Sequence, residues 1–314
     1  MKQPLIILAG PTAVGKTDLS IKLAQKINGS IISADSMQVY KHMDIGSAKV
    51  MPEEMQGIPH YLIDELMPEE EFNIVVFQNL AKKYMQEIYA AGRIPILAGG
   101  TGFYIQSVLY DIDFSKEDAS DAIRQELEEY AKNNGAIALH QKLRGVDEAS
   151  AEAIHPNNVK RVVRALEFYQ QNGYPISKHN AEEKQKESPY NFAYFVLNDE
   201  RSHLYDRIEQ RVDLMMEKGL LAEVTRLKEM GYHKGMVSMQ GLGYKELLAY
   251  LDGEISLEEA IYILKRDTRH FAKRQLTWFR READVIWLDK DQFSYNEDAI
   301  LDKMISDLKE KGIL

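Results

Sequence analysis

Ten residues near the start of the chain, LAGPTAVGKT from Leu8 to Thr17, limit what it can fold into more than any other stretch. Gly10, Gly15, Lys16 and Thr17 satisfy the spacing G-x-x-x-x-G-K-[ST], with Pro11, Thr12, Ala13 and Val14 between them. The pattern has meaning only between a strand and a helix. Both are predicted here. The apolar run Pro4 to Ala9 reads as a strand buried on both faces, and Lys16 to Ile27 as a helix with Leu19, Leu23 and Ile27 on one stripe. Such a loop grips phosphate: glycines let backbone N–H groups converge, the helix N-terminus adds positive potential, Lys16 adds a charge and Thr17 offers Mg²⁺ a hydroxyl. The loop leaves open whether a triphosphate is split, a phosphoryl group is passed on, or a diphosphate is held while another bond breaks.

Further elements extend the pattern. GSIISAD predicts a second strand ending at Asp35, Glu71 to Ala91 an amphipathic helix, and RIPILAGGTGFY a strand followed by a Gly-rich turn. Alternating strands and helices predict an α/β fold with an open parallel sheet and ligand groups at the carboxyl ends of its strands. From Ser115 to about Pro189 the text turns helical and polar, which predicts a helical insertion over 115–189 between core segments 1–114 and 190–314. Its charged end, Ala181 to Glu187, reads as a solvated loop or hinge. FAYFVLN and DVIWLD read as strands returning to the sheet, and the remaining C-terminal part as helix.

The net charge of −10 argues against wholesale coating of nucleic acid, though not against a local basic patch. The absence of cysteine excludes disulfides and thiolate metal sites and fits a cytoplasmic protein. No run reaches the roughly 18 apolar residues that span a bilayer, and PLIILAG reads as a strand rather than a signal peptide. No membrane association is expected.

Several residues carry two readings by position. Asp35 can ligate metal, accept a proton, or merely cap the next turn. Gly99, Gly100 and Gly102 can make only a tight turn, or they can present the Thr101 hydroxyl to a ligand. Arg207 and Arg211 form either a surface pair or a fork for diphosphate oxygens. Lys160, Arg161 and Arg164 cluster within about a turn of helix. Arg266, Arg269, Lys273 and Arg280 fall at offsets 0, 3, 7 and 14, with Ile261, Leu264, Phe271 and Trp278 predicted as the buried stripe of the same helix. These faces are either solvated or a track for nucleic-acid phosphates.

Taken together, GPTAVGKT, ISADSMQVYKHMDIGSAK, ILAGGTGFY, VKRVVRALE, QGLGYKE and AKRQLTWFRR resemble the tRNA dimethylallyltransferases, also called tRNA isopentenyltransferases, in family order from residue 10 to 281. No Cys/His zinc finger follows residue 281, which resembles the bacterial type. The resemblance implies a core like that of P-loop NTPases and kinases. It also implies transfer of a dimethylallyl group from its diphosphate to N6 of adenosine 37 in the tRNA anticodon stem-loop. Gly10 to Thr17 would hold dimethylallyl diphosphate, with Thr17 on Mg²⁺. Asp35 would be the base, Thr101 the hydroxyl near the reacting groups, and Arg211 the diphosphate arginine, with Arg207 its near competitor. Asp35, Ser36, Met37 and Gln38 would contact tRNA. So would Val159, Lys160, Arg161, Val162 and Val163 of the insertion, and Lys273 and Arg274 of the basic helix. No stable protein partner is implied. Two alternatives share parts of this pattern. An adenylate isopentenyltransferase acts on free nucleotide, which needs no long phosphate track. A small-molecule kinase needs ATP as donor and an arginine-bearing lid, which is not identifiable here.

Overall fold

Strand β1 (Gln3–Ala9) lies at the centre of a six-stranded, wholly parallel sheet of order β3-β2-β4-β1-β5-β6. The other strands are β2 (Gly29–Ala34), β3 (His60–Tyr61), β4 (Ile94–Gly99), β5 (Tyr190–Asn198) and β6 (Val285–Asp289). Leu5 to Ala9 are fully buried, as a strand covered by helices on both faces requires. The computed structural model describes residues 2–114, 121–183 and 185–314. The expected start of the insertion at Ser115 and Lys184 of the charged stretch lie outside the described residues.

The core helices are α1 (Lys16–Ile27), α2 (Ile74–Ala90) and α3 (Gly102–Leu109). The insertion carries α4 (Asp121–Asn134), α5 (Ala136–Val146), α6 (Glu148–Ala153), α7 (Val159–Asn172) and α8 (Ile176–Glu183). After β5 come α9 (Arg201–Glu217), α10 (Leu220–Glu229), α11 (Tyr244–Leu251), α12 (Leu257–Phe279) and α13 (Glu297–Glu310). Two compact units divide the chain: Met1–Leu109 with Pro189–Leu314, and Tyr110–Ser188. No helix among the described residues is long and apolar enough to cross a membrane.

The smaller unit has its own core of Leu127, Leu139, Leu143, Val162, Val163 and Leu166. The Asp147 carboxylate ties it together by accepting the backbone N–H and hydroxyl of both Ser150 and Ser177. Val162 and Val163 correct the expectation that they face tRNA. They are 0% and 3% exposed, so their side chains are core, and only Lys160 and Arg161 of that run are exposed. The physical reason is the helical period: α7 turns its fourth and fifth residues toward the unit interior.

A second correction concerns α12. Its buried residues are Ala260, Leu264, Ala272, Gln275 and Phe279, while Ile261, Phe271 and Trp278 are only half-buried. The stripe is rotated because close helix approach selects small residues, which a count of large apolar ones passes over. Arg266 and Arg269 of the same helix are ion-paired to Asp267 and Glu209, pairs that a phosphate would have to compete with.

Candidate active site

The sheet register assembles the site. Ala9 of β1 and Ala34 of β2 both pair with Gly99 of β4, so three adjacent strands end at one level. The chain therefore emerges side by side as Gly10, Asp35 and Gly100, at strand spacings of about 4.8 Å. This is the carboxyl edge of an open parallel sheet, where such folds place their ligands. There a cleft of about 380 Å³ is lined by Thr12, Lys16, Thr17, Asp35, Thr101 and Arg211 among others.

Gly10 adopts φ +150° and Gly15 φ +102°, backbone that a side chain would strain, and a Cβ on Gly10 would lie 2.4 Å from the Leu197 carbonyl oxygen. The Lys16 ammonium donates to the carbonyls of Gly10 and Pro11 at 3.0 and 2.7 Å. Burial first, then the charge of Arg211, lower the Lys16 pKa from 10.5 to about 7, against an upward pull from Asp35. Arg211 is lowered by burial most of all, with Asp35 opposing and Arg207 adding. Lys16, Arg211 and Asp35 thus share one field: two basic groups and one carboxylate. The two arginines separate by role. Arg207 donates from Nε to the Ala13 carbonyl at 2.8 Å and braces the loop from outside, whereas Arg211 lines the cleft.

Asp35 serves its turn and faces the cleft at once, since its Oδ1 accepts the Met37 N–H at 2.8 Å. Ser36 and Met37 follow it along the wall. Gln38 lines the cleft as well and braces its own segment: its Oε1 accepts from the Ser33 hydroxyl and its Nε2 donates to the Ala48 carbonyl. Thr101 lines the cleft from the start of α3, its N–H bonded to the Ala34 carbonyl at 3.1 Å. Lys273 and Arg274 are exposed on α12, and Arg274 also reaches the cleft.

With this geometry, a family model described as IPP transferase matches residues 38–282. The chain belongs to the IPP transferase family. It is 62% identical over 313 residues to a tRNA dimethylallyltransferase of Lachnoclostridium phytofermentans, covering 99% of each chain. It is 52% identical to another of that name from Acetivibrio thermocellus, over 97% of this chain and 96% of the relative. Among solved structures it is similar to the full-length tRNA isopentenylpyrophosphate transferase of Bacillus halodurans, with TM-score 0.75 and 46% identity over 99% of this chain and 98% of that one. A eukaryotic dimethylallyltransferase acting on tRNA gives TM-score 0.80 and 32% identity over 91% of this chain and 74% of that one.

Three supports of this cleft in the IPP transferase family member escape sequence reading. Gln275 of α12 accepts the Thr12 N–H at 2.9 Å and donates to the Gly100 carbonyl at 3.0 Å. The buried Glu223 carboxylate of α10 accepts three consecutive backbone N–H groups, from Asp44, Ile45 and Gly46, and the Tyr244 hydroxyl. That fixes the segment whose Gly46, Ser47 and Ala48 form the opposite cleft wall. Lys290, buried after β6, donates to the Val14 carbonyl at 3.3 Å. The available signal was a polar residue inside an apolar helical period, as with Glu223 among Leu220, Val224 and Leu227.

Proposed function

We propose that this family member transfers a dimethylallyl group from dimethylallyl diphosphate to the exocyclic N6 of adenosine 37 in tRNA. The observation that carries the reading is the shared cleft of the 10–17 loop, Lys16 and Arg211 with Asp35 and Thr101. One half suits a diphosphate leaving group and the other an amine losing a proton. The N6 amine is a poor nucleophile because its lone pair is delocalised into the ring. As N6 bonds to the allylic carbon, Asp35 takes an N6 proton and the carbon–oxygen bond to diphosphate breaks. Lys16, Arg211 and the loop amides stabilise the departing negative charge, while the allylic cation is itself delocalised. The activity for which the relatives are named, tRNA dimethylallyl transfer, supports the same reading.

Among the described residues, no group of three or more His, Cys, Asp or Glu could hold a metal. Magnesium does not require one, because it keeps several waters and takes one or two protein oxygens besides substrate phosphates. Thr17, on the cleft at the start of α1, fits that donor set. When bound, Mg²⁺ would neutralise charge on the diphosphate.

The base has to leave its stack to reach the cleft, which suits a single-stranded loop. Exposed Lys160 and Arg161 of the insertion, and Lys273 and Arg274 of α12, supply cations for the surrounding phosphates. Incubation with dimethylallyl diphosphate and unmodified tRNA, followed by nucleoside mass analysis, tests the proposal. The expected product is N6-dimethylallyladenosine at position 37 of the tRNA. Phosphate transfer from ATP with no prenylated nucleoside would install a kinase instead.

A further inference from the structure

Helix α12 presses unusually close to the Gly-rich turn after β4. A Cβ on Gly100 would sit 2.1 Å from Gln275 Nε2, and one on Gly102 would sit 2.2 Å from Trp278 Cδ1. The glycines of GGTG thus make room for two α12 side chains one turn apart. Gln275 is 6% exposed, and both ends of its amide are used: Oε1 accepts from Thr12 and Nε2 donates to Gly100. The pairing fixes the amide's orientation, because an N–H only donates and a carbonyl only accepts. One side chain therefore spans the two backbone segments that carry the opposing halves of the cleft. Thr12 is four residues before Lys16 in the phosphate loop, and Gly100 directly precedes Thr101. The Thr12 amide is also committed to Gln275, which leaves the amides from Ala13 onward to face a ligand.

We propose that Gln275 is a positioning residue for prenyl transfer, holding the 10–17 loop and the Thr101 turn at a fixed separation so that leaving-group and acceptor halves of the site are aligned. This rests on the transfer reading above. Gln275 does its work through backbone, and no contact with the reacting atoms is required of it. Strand pairing does not supply this link, since β1 and β4 stop pairing at Ala9 and Gly99. Beyond those residues the two loops are joined across the cleft floor by the Gln275 amide.

The test uses the full chain carrying Gln275→Met, which keeps length and loses both hydrogen bonds, and Gln275→Glu, which keeps an acceptor for Thr12 and loses the donor to Gly100. Four quantities are read: the melting temperature, Kd for inorganic diphosphate with Mg²⁺, Kd for the anticodon stem-loop, and single-turnover kcat. A misplacement of about 1 Å costs up to about a hundredfold in rate. Gln275→Met is therefore expected to lower kcat at least tenfold and weaken diphosphate binding, with stem-loop Kd held within about twofold by phosphate interactions elsewhere. Gln275→Glu is expected to lower kcat as well. Wild-type kcat and diphosphate Kd in a folded Gln275→Met would overturn the inference. So would a lower melting temperature with unchanged constants, or equal loss of both ligands. If Gln275→Met does not fold, wild-type kcat in Gln275→Glu overturns it alone. Failure of the wild-type chain to prenylate tRNA would instead sink the transfer reading, and the diphosphate titration would still report on the loop.

Discussion

Asp35 Oδ1 accepts the backbone N–H of Met37 at 2.8 Å while the carboxylate lines the same cleft as Lys16. The capping and proton-accepting readings of this residue are therefore compatible, and two substitutions separate them. Asp35→Asn keeps an acceptor for Met37 and removes the base. It should lower single-turnover prenyl transfer by about 10²-fold or more with little change in melting temperature. Asp35→Ala should match that rate loss and also cost about 1 kcal/mol for the lost hydrogen bond. Near-wild-type turnover in Asp35→Asn would leave the carboxylate a turn cap only.

Lys16 should report diphosphate binding through its proton. Burial, helped by Arg211, holds its pKa at about 7, below the ordinary 10.5, so above neutrality the free site carries a largely uncharged amine. A bound diphosphate favours the ammonium and raises that value, so binding takes up a proton at a pH between the two. Calorimetry in buffers of different ionisation enthalpy, at about pH 8, should show more proton uptake for wild type than for Lys16→Met. Equal uptake in both would mean the amine is already charged. Lys16→Met should also bind diphosphate more weakly with tRNA affinity nearly intact.

The ion pairs of α12 sort its cations. Arg266 and Arg269 are held by Asp267 and Glu209, whereas Lys273 and Arg274 are exposed and make no salt bridge among the described residues. Replacing Lys273 and Arg274 by alanine should reduce the log–log salt slope of tRNA binding by about 0.7 to 0.9 for each phosphate they neutralise. Replacing Arg266 and Arg269 should change it less. The same titration on Lys160→Ala with Arg161→Ala tests the insertion, and an unchanged slope in both exposed pairs would count against a phosphate track.

Glu223→Ala should be among the most destabilising single changes in the chain. It leaves three adjacent N–H groups and the buried Tyr244 hydroxyl without their acceptor. At about 1 to 3 kcal/mol per unsatisfied buried group, the loss should reach about 3 kcal/mol or more by chemical denaturation. The diphosphate KM should rise with it, because Gly46 to Ala48 line the cleft. A loss below about 1 kcal/mol would show the segment holding itself without Glu223.

Local sequence determined much of this protein. Lys16 to Ile27 forms a helix with the predicted bounds, and the strands at Gly29–Ala34, Ile94–Gly99 and Val285–Asp289 lie where apolar runs end in glycine or acid. Those features depend on neighbours in the chain, so periodicity and turn chemistry reveal them. Gly10 to Thr17, Asp35, Thr101 and Arg211 were legible as ligand-bearing types for the same reason. Only the tertiary structure decided that they meet, because the Ala9–Gly99–Ala34 register is a property of three strands far apart in sequence. It also decided that Arg207 braces while Arg211 faces the cleft, and that Val162 and Val163 turn inward. Gln275 and Glu223 were invisible beforehand since their partners, the backbone of residues 12, 100 and 44–46, lie more than a hundred residues away. A buried polar side chain takes its role from whichever backbone groups the fold brings to it, and no local pattern encodes which those will be.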